Sequence, residues 1–134
     1  ALVARWGYRP ELAMTMLERE IDAEPVLPAA LSVETLTSRK LEWTDLVVAG
    51  LKDSVVSADL ERTRRTTYVC ASAASALVAI RVEGRLAGGA ALGVTGDAAF
   101  LFCASTLPEF RRRGVHAALI AARLSIGRSR GALR

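Results

Sequence analysis

Asparagine and glutamine are both absent from this 134-residue sequence. Without asparagine there is no acceptor for N-glycosylation, and without either amide side chain an anion must be bound by backbone N–H groups, hydroxyls or arginine. Histidine occurs once, and cysteine occurs only at Cys70 and Cys103. That spacing offers no set of metal ligands, and the apolar surroundings of both cysteines favour reduced, buried thiols over a disulfide. We therefore expect no metal site.

Long hydrophobic runs are missing as well. No apolar stretch reaches the roughly 20 residues that a membrane-spanning helix needs, and the first residues lack the basic region and hydrophobic block of a signal peptide. These absences predict a cytoplasmic protein with no membrane partner. Hydrophobic residues make up 51% of the chain and charged residues 24%, a balance typical of one globular domain.

Lysine is nearly absent, since Lys40 and Lys52 are the only two, and the net charge of +4 therefore comes almost wholly from arginine. This charge suits an anionic partner, either a nucleic acid or a small phosphorylated cofactor. Aromatic residues are few, and Phe100, Phe102 and Phe110 lie in or beside a segment expected to be buried, so no platform for stacking bases is evident. We do not expect nucleic-acid binding.

The first half of the chain contains two strand patterns and two helix patterns. Residues 11–18 alternate as a strand, and Pro25 and Pro28 mark a linker over 23–30 that leads to a second strand at 31–36. Ser38 is expected to cap a helix that places Trp43, Leu46, Val47 and Leu51 on one apolar face. Ser57 is expected to cap a second helix over 58–65, whose end the sequence does not define.

The second half predicts a three-strand antiparallel meander followed by a helix. Strand patterns cover 77–82, 85–94 and 98–107, and glycine-containing turns at Glu83-Gly84 and Gly96-Asp97 separate them. Apolar residues then recur every three or four positions over Val115–Ser129, which indicates an amphipathic helix. The arginines of this helix are expected to face solvent; they are Arg123, Arg128 and Arg130.

The loop between the last strand and this helix carries the main functional signal. A strand that passes through a short loop into a helix gathers unpaired N–H groups and the positive end of a helix dipole in one place, which favours anions. Gly114 permits close approach of a phosphate to the backbone, and Arg111, Arg112 and Arg113 add attraction for a diphosphate. The sequence therefore predicts a phosphate-binding loop at residues 111–116.

Arg111-Arg112-Arg113-Gly114-Val115-His116 resembles the phosphate-binding motif of the GNAT superfamily of acyl-CoA-dependent N-acetyltransferases. That motif is Arg or Gln, two residues, Gly, one residue, then Gly or Ala, and here it follows a hydrophobic strand and opens an amphipathic helix. The resemblance is strongest over residues 76–131. His116 departs from the small residue of the motif, although its backbone N–H is retained. The implied fold is an α+β fold with a mixed, largely antiparallel sheet flanked by helices.

The resemblance also implies a reaction and a set of binding residues. Acetyl-CoA would be the co-substrate, and a small-molecule or peptide amine would attack its thioester directly, with a backbone N–H of residues 104–107 stabilising the oxyanion. The backbone of Ser105, Thr106 and Leu107 would contact pantetheine and the acyl group. The pyrophosphate would be held by Arg111, Arg112, Arg113, Gly114, Val115 and His116.

The resemblance covers the family's fold only in part. The family continues beyond the helix at Val115–Ser129 with further strands and a helix that often carries the proton-donating tyrosine. We therefore expect a partial acetyltransferase domain over 31–134, truncated after that helix, with residues 1–22 as the tail of a preceding half-domain. The sheet would be completed by another chain or by a second copy in a homo-oligomer. The alternative function is a non-catalytic CoA-binding or structural module.

No catalytic residue is assigned from the sequence. Glu109 follows Pro108, where a solvated loop side chain is the more common outcome. The hydroxyl of Ser105 is more often satisfied by backbone than used to relay a proton. Tyr8 and Tyr68 are more often amphipathic tyrosines at the edge of a core than catalytic acids.

Overall fold

The computed structural model describes residues 20–21, 30–53 and 59–134. The strand predicted at 11–18, most of the predicted linker and Ser57 lie outside these residues. The predicted boundaries of the N-terminal segment, the linker and the partial domain therefore stay predictions.

Four antiparallel strands form one sheet in the order β1-β2-β3-β4. They are β1 (Leu31–Thr35), β2 (Ala76–Val82), β3 (Arg85–Thr95) and β4 (Ala98–Thr106). The predicted meander of β2, β3 and β4 is confirmed, and β1 pairs with β2 at the other edge. Glu83 and Gly84 join β2 to β3 with φ values of 51° and 78°, as a two-residue hairpin turn requires.

The described residues form three α-helices, α1 (Lys40–Gly50), α2 (Leu60–Ala73) and α3 (Val115–Ser129). The prediction for α3 has the observed bounds, but the predicted cap of α1 is wrong. Arg39 occupies the N-cap position of α1 and makes no capping bond with its side chain. The Asp59 carboxylate caps α2 by accepting a hydrogen bond from the Arg62 backbone N–H at 2.9 Å.

The two faces of the sheet are covered by different helices, so the fold has three layers. One core lies between the sheet and α3 and is built on Val78, Ile80, Phe110, Val115 and Leu119. The other lies between the sheet and α1, with α2 beside it, and is built on Leu36, Trp43, Val47, Leu77 and Ala79. Alternate residues of β2 point to opposite faces, which is why one continuous apolar strand contributes to both cores. The predicted α+β fold is confirmed.

Several predictions of exposure are wrong. The thiols of Cys70 and Cys103 are free as expected, but both residues are only partly buried. Arg123 was expected in solvent, but it is only 2% exposed, and its Nε donates to the Leu119 carbonyl at 3.0 Å. Phe100 was expected to be buried, but it is 44% exposed on β4. A one-dimensional pattern identifies the apolar side of an element but not how far its neighbours extend over it.

The pairing of β3 with β4 is interrupted by a β-bulge. Ala91 lies opposite Phe102 and Gly89 lies opposite Ser105, so that Ala90 alone opposes Cys103 and its neighbour Ala104. Cys103 has a φ of 48°, in the left-handed region that residues with a Cβ seldom adopt. The bulge changes the direction of β4 just before it reaches the loop that precedes α3.

The last residues of the chain lie beside the beginning of β4. The Leu133 N–H donates to the Asp97 carbonyl at 2.7 Å, and the Ala99 N–H donates to the Arg134 carbonyl at 2.7 Å. On its other side, Leu133 accepts a hydrogen bond from the Ile21 N–H at 2.8 Å. These bonds cover the start of β4, while the segment near the bulge lies farther along the same edge.

Candidate functional site

The loop between β4 and α3 is shaped by a buried aromatic residue and a glycine. Pro108–Phe110 forms a single 3-10 turn, and Phe110 is only 2% exposed, so the loop is anchored in the core on the α3 side of the sheet. Gly114 immediately precedes α3 with a φ of 77°, and a Cβ built there would meet nothing within 4 Å. A side chain would fit in the space at this position. Glycine is therefore favoured by the backbone conformation and not by a lack of room.

The N-terminus of α3 presents a row of free backbone amides. Within the described part of the chain, no backbone N–H group from Arg112 to Ala117 donates a hydrogen bond, and the first helical bond runs from Ala118 to the Gly114 carbonyl at 3.0 Å. No side chain caps the helix. The left-handed residue before a right-handed helix makes these amides converge, and the helix dipole adds positive potential. The arrangement can bind an anion.

A cleft of about 200 Å³ opens in front of these amides. Thr106 is one of the residues that line this cleft, and its Oγ1 is buried with no hydrogen-bond partner among the described residues. An unpaired buried hydroxyl costs free energy, which a ligand with a polar group could recover. The cleft is lined by Thr106, Phe110, Arg111, Arg112, Gly114, Val115, His116 and Ala117.

Arg111 is directed toward the end of α1. Its Nη2 donates to the Gly50 carbonyl at 3.2 Å, and its Nη1 lies 3.2 Å from the Asp53 carboxylate. Both terminal nitrogens of its guanidinium therefore join the loop to the end of α1 and the turn that follows it, although the side chain is still partly exposed and lines the cleft.

The other two arginines of the loop differ from each other. Arg113 donates to the Glu83 carboxylate at 2.9 Å, and its guanidinium lies 5.6 Å from the centre of the Phe110 ring. Arg112 is exposed and has neither a hydrogen bond nor an ion pair within the described ranges. Of the three arginines predicted to bind a diphosphate, Arg112 is therefore the one whose charge is not already paired.

The end of β4 can contribute backbone groups to the cleft, but the side chain of Ser105 is bonded elsewhere. The Ser105 hydroxyl donates to the Val47 carbonyl of α1 at 2.8 Å, and Ser105 is 6% exposed. The Leu107 N–H donates to the Ala87 carbonyl at 2.9 Å, within the pairing of β4 with β3. Because amides alternate along a strand, the Thr106 N–H points away from β3 toward the outer edge.

Titratable groups around the loop do not include an assignable base. Glu109 lies 3.6 Å from Arg85 in an exposed ion pair. Tyr68 lines a separate cleft between α1 and α2, and Tyr8 lies outside the described residues. Burial, with contributions from Cys70, raises the pKa of the Cys103 thiol to about 12, so the thiol stays protonated and unreactive at neutral pH.

The described residues form neither a metal site nor a membrane-spanning helix. No group of three His, Cys, Asp or Glu side chains lies close enough to hold a metal ion. No helix among these residues has the length and apolar character needed to cross a membrane.

Sequence reasoning missed two features of this region. The orphan Thr106 hydroxyl follows from the packing of the loop, for which the sequence contains no signal. The burial of Arg123 behind β4 was also missed, although its i, i+4 spacing from Leu119, a residue of the apolar face, could have indicated it.

Solved structures with the same fold are acetyltransferases. The chain is similar to an aminoglycoside acetyltransferase from an uncultured soil metagenomic sample, at 19% identity and a TM-score of 0.57 over 76% of this chain and 74% of that one. It is also similar to a GNAT family acetyltransferase from Brucella melitensis in complex with acetyl-CoA, at 18% identity and a TM-score of 0.58 over 76% and 71%. A third is the PaiA N-acetyltransferase from Thermoplasma acidophilum in complex with coenzyme A, at 15% identity and a TM-score of 0.60 over 75% and 74%.

No protein-family model matches the sequence, and no curated protein matches it either. Since the structural neighbours are less than 25% identical to this chain, the likeness shows the fold. The chain has the fold of the GNAT acetyltransferases, as the resemblance of residues 111–116 implied.

Proposed function

We propose that this chain binds acetyl-CoA at the loop before α3 and belongs to an N-acetyltransferase that acts on a small-molecule or peptide amine. The observation that carries the proposal is the row of free amides from Arg112 to Ala117, which faces a cleft beside the unpaired Thr106 hydroxyl. Crystal structures of proteins with this fold hold CoA or acetyl-CoA, which supports the same ligand here.

The residues present fit the groups of such a ligand. The amides of Gly114, Val115 and His116 would hold the pyrophosphate, and the free guanidinium of Arg112 would add charge without first breaking an ion pair. Thr106 would meet the pantetheine arm with its outward N–H and its unpaired hydroxyl. Ser105 and Leu107 would act through the position of the strand, because the hydroxyl of the first and the N–H of the second are already bonded.

In this reaction the chain would position the thioester and the amine and would stabilise the charge that develops on the oxyanion. Acetyl-CoA supplies an activated thioester, and a neutral amine attacks it without a covalent enzyme intermediate. A backbone N–H near the bulge in β4 would donate to the developing oxyanion, which is worth about 3–4 kcal/mol where such donors have been removed from other enzymes. The acceptor amine and the proton donor are not assigned to residues of this chain.

Calorimetric titration with acetyl-CoA tests the proposal on the chain and on Gly114→Val. The variant is expected to bind roughly tenfold more weakly or worse, because a β-branched side chain at a φ of 77° distorts the loop and covers its amides. Gly84→Val is the matched control, since Gly84 has a φ of 78°, has nothing within 4 Å of its Cβ and lies in the β2–β3 turn.

Both glycine variants should lose similar stability from backbone strain, but only Gly114→Val should lose affinity. If the unmodified chain does not bind acetyl-CoA, the proposed function is wrong. If Gly114→Val binds as well as Gly84→Val, the pyrophosphate is not held at the N-terminus of α3.

The free and the paired arginine of the loop are expected to contribute differently. Arg112→Ala should weaken acetyl-CoA binding by about 1 kcal/mol, an effect that shrinks at high salt because the charge is exposed. Arg113→Ala should have a smaller effect, since its guanidinium is already bound to Glu83 and lies over Phe110. Dissociation constants measured at low and high salt check this order, and a larger loss for Arg113→Ala would contradict it.

A non-catalytic CoA-binding module is the second candidate. It is favoured by the lining of the cleft, because the described residues that form it include no aspartate, glutamate, cysteine or tyrosine. An acetyl-transfer assay over a panel of amines separates the two candidates. Turnover above a heat-killed control would exclude the non-catalytic module, and binding without turnover would favour it.

A further inference from the structure

The most unusual buried group of the described chain is Arg123, on the face of α3 that packs against the sheet. Its side chain is 2% exposed, and no carboxylate pairs with it among the described residues. Burial lowers the pKa of Arg123 to about 10, which still leaves it charged at neutral pH. A buried cation without a counter-ion is costly, so the groups that receive its hydrogen bonds must offset that cost.

These groups are backbone carbonyls at the interruption between β3 and β4. The Nη1 of Arg123 donates to the Ala91 carbonyl at 3.2 Å and reaches the Phe102 carbonyl at 3.5 Å. Ala91 and Phe102 are the last regular pair before the bulge. The Nε donates to Leu119 within α3, which fixes the side chain to its own helix. One guanidinium therefore joins α3 to both strands at the place where their pairing breaks.

The bulge needs such support. Cys103 holds a φ of 48°, a strained conformation that persists only where the surroundings enforce it. A bulge also leaves backbone groups outside the ladder. Arg123 supplies donors to the carbonyls of the last regular pair beside the bulge, and so joins this end of the bulge to α3.

We propose that Arg123 is a positioning residue for the acyl carbonyl: by holding the Ala91 and Phe102 carbonyls it keeps the bulge at Cys103 and Ala104, whose amides donate to the thioester oxygen. This inference rests on the proposed function, in which a backbone N–H near the bulge meets the acyl carbonyl and the loop before α3 holds the pyrophosphate; the new element is the role of Arg123. Arginine suits the role since its planar guanidinium has several fixed donors and bridges two carbonyls from one nitrogen.

The test compares the affinities of acetyl-CoA and of CoA, because only the first carries the carbonyl that the bulge would bind. The unmodified chain should bind acetyl-CoA about tenfold more tightly than CoA, the equivalent of one good hydrogen bond. Arg123→Met keeps the length of the side chain but removes its donors, so it should bind both ligands equally. Its affinity for CoA should change less than about twofold. Arg123→Lys should restore part of the preference, because lysine retains N–H donors.

Arg128→Met is the matched control, since Arg128 lies on the same helix in solvent and its loss removes the same charge. It should keep the full preference for acetyl-CoA. An unchanged preference in Arg123→Met, or equal losses for both ligands in both variants, would overturn the assignment to Arg123 alone. Failure of the unmodified chain to bind either ligand would instead refute the proposed function.

A second measurement needs no variant of Arg123. In amide NMR spectra of the unmodified chain, acetyl-CoA should shift the Cys103 and Ala104 resonances more than CoA does, while both ligands shift Gly114 and Val115. Equal shifts of Cys103 and Ala104 with the two ligands would overturn the proposal even if Arg123→Met and Arg123→Lys fail to fold.

Discussion

Replacing Trp43 with alanine is expected to lower the free energy of unfolding by about 3–5 kcal/mol. The Trp43 side chain is fully buried under the sheet, and its Nε1 donates to the Val78 carbonyl at 3.2 Å. Its removal leaves a cavity in the core under α1 and deletes the hydrogen bond from α1 to β2. Urea unfolding followed by circular dichroism measures the loss.

Leu41→Ala is the control for this prediction, since Leu41 lies in the same helix but is 61% exposed. It should change the stability by less than about 0.5 kcal/mol. Trp43→Phe keeps most of the apolar volume and should fall between the two. A loss below about 1 kcal/mol for Trp43→Ala would show that α1 does not rely on this side chain to hold the sheet.

Gly88→Ala is expected to cost about 1–3 kcal/mol and to weaken acetyl-CoA binding at the same time. A Cβ at Gly88 would lie 2.6 Å from the Ser105 backbone oxygen, 3.0 Å from a methyl group of Val115 and 3.3 Å from the Thr106 Cα. These are the end of β4 and the start of α3, so relief of the clash must move the two elements that form the cleft. Thermal unfolding and calorimetric titration of the same preparation measure both effects.

Gly93→Ala tests whether the effect is specific to position 88. Gly93 lies in the same strand, and a Cβ there would make ordinary contacts with Phe102 and Phe100, at 3.4 Å and 3.8 Å. Its stability should change by less than about 0.5 kcal/mol, with binding unaltered. If Gly88→Ala binds acetyl-CoA as tightly as Gly93→Ala, the close packing of β3 on β4 does not set the shape of the cleft.

The glycines of β3 show how the sheet positions the site. Because Gly88 has no side chain, Ser105 and Val115 can approach β3 closely on one face of the sheet. On the other face, a Cβ at Gly89 would lie 3.0 Å from Val47 and 3.1 Å from the Trp43 Nε1. Both layers of helices therefore approach β3 closely beside the bulge of β4. The same packing buries the Ser105 hydroxyl against α1 and directs the end of β4 into the loop.

Local chemistry made much of this predictable. The turn at Glu83-Gly84 requires left-handed residues and has them, and the 3.6-residue period of α3 and the two-residue period of the strands follow from backbone geometry. Gly114 is predictable for the same reason, since a loop that enters a helix through a left-handed residue favours glycine. The phosphate-binding role of residues 111–116 stays a proposal until a ligand is measured.

Other features depend on neighbours that are distant in sequence. Ser38 has the right chemistry for a cap, yet α1 begins after Arg39, whose side chain instead pairs with Glu34 and Glu42. Arg113 carries the same charge as Arg112, but only the fold brings Glu83 against it. Such pairings join residues whose separation along the chain carries no signal.

The sequence by itself determined the described strands and helices, apart from the cap of α1 and the end of α2, together with the antiparallel meander and the glycine-led entry into α3, because periodicity and backbone preference act over a few residues. Within the described part of the chain, only the tertiary structure decided that Arg112 is the unpaired arginine of the loop, that the Thr106 hydroxyl lacks a partner and that Arg123 is buried behind the bulge. Each of these depends on how the layers meet in space. A charge or hydroxyl is free or bonded according to what packing places beside it, and packing joins residues from remote parts of the chain.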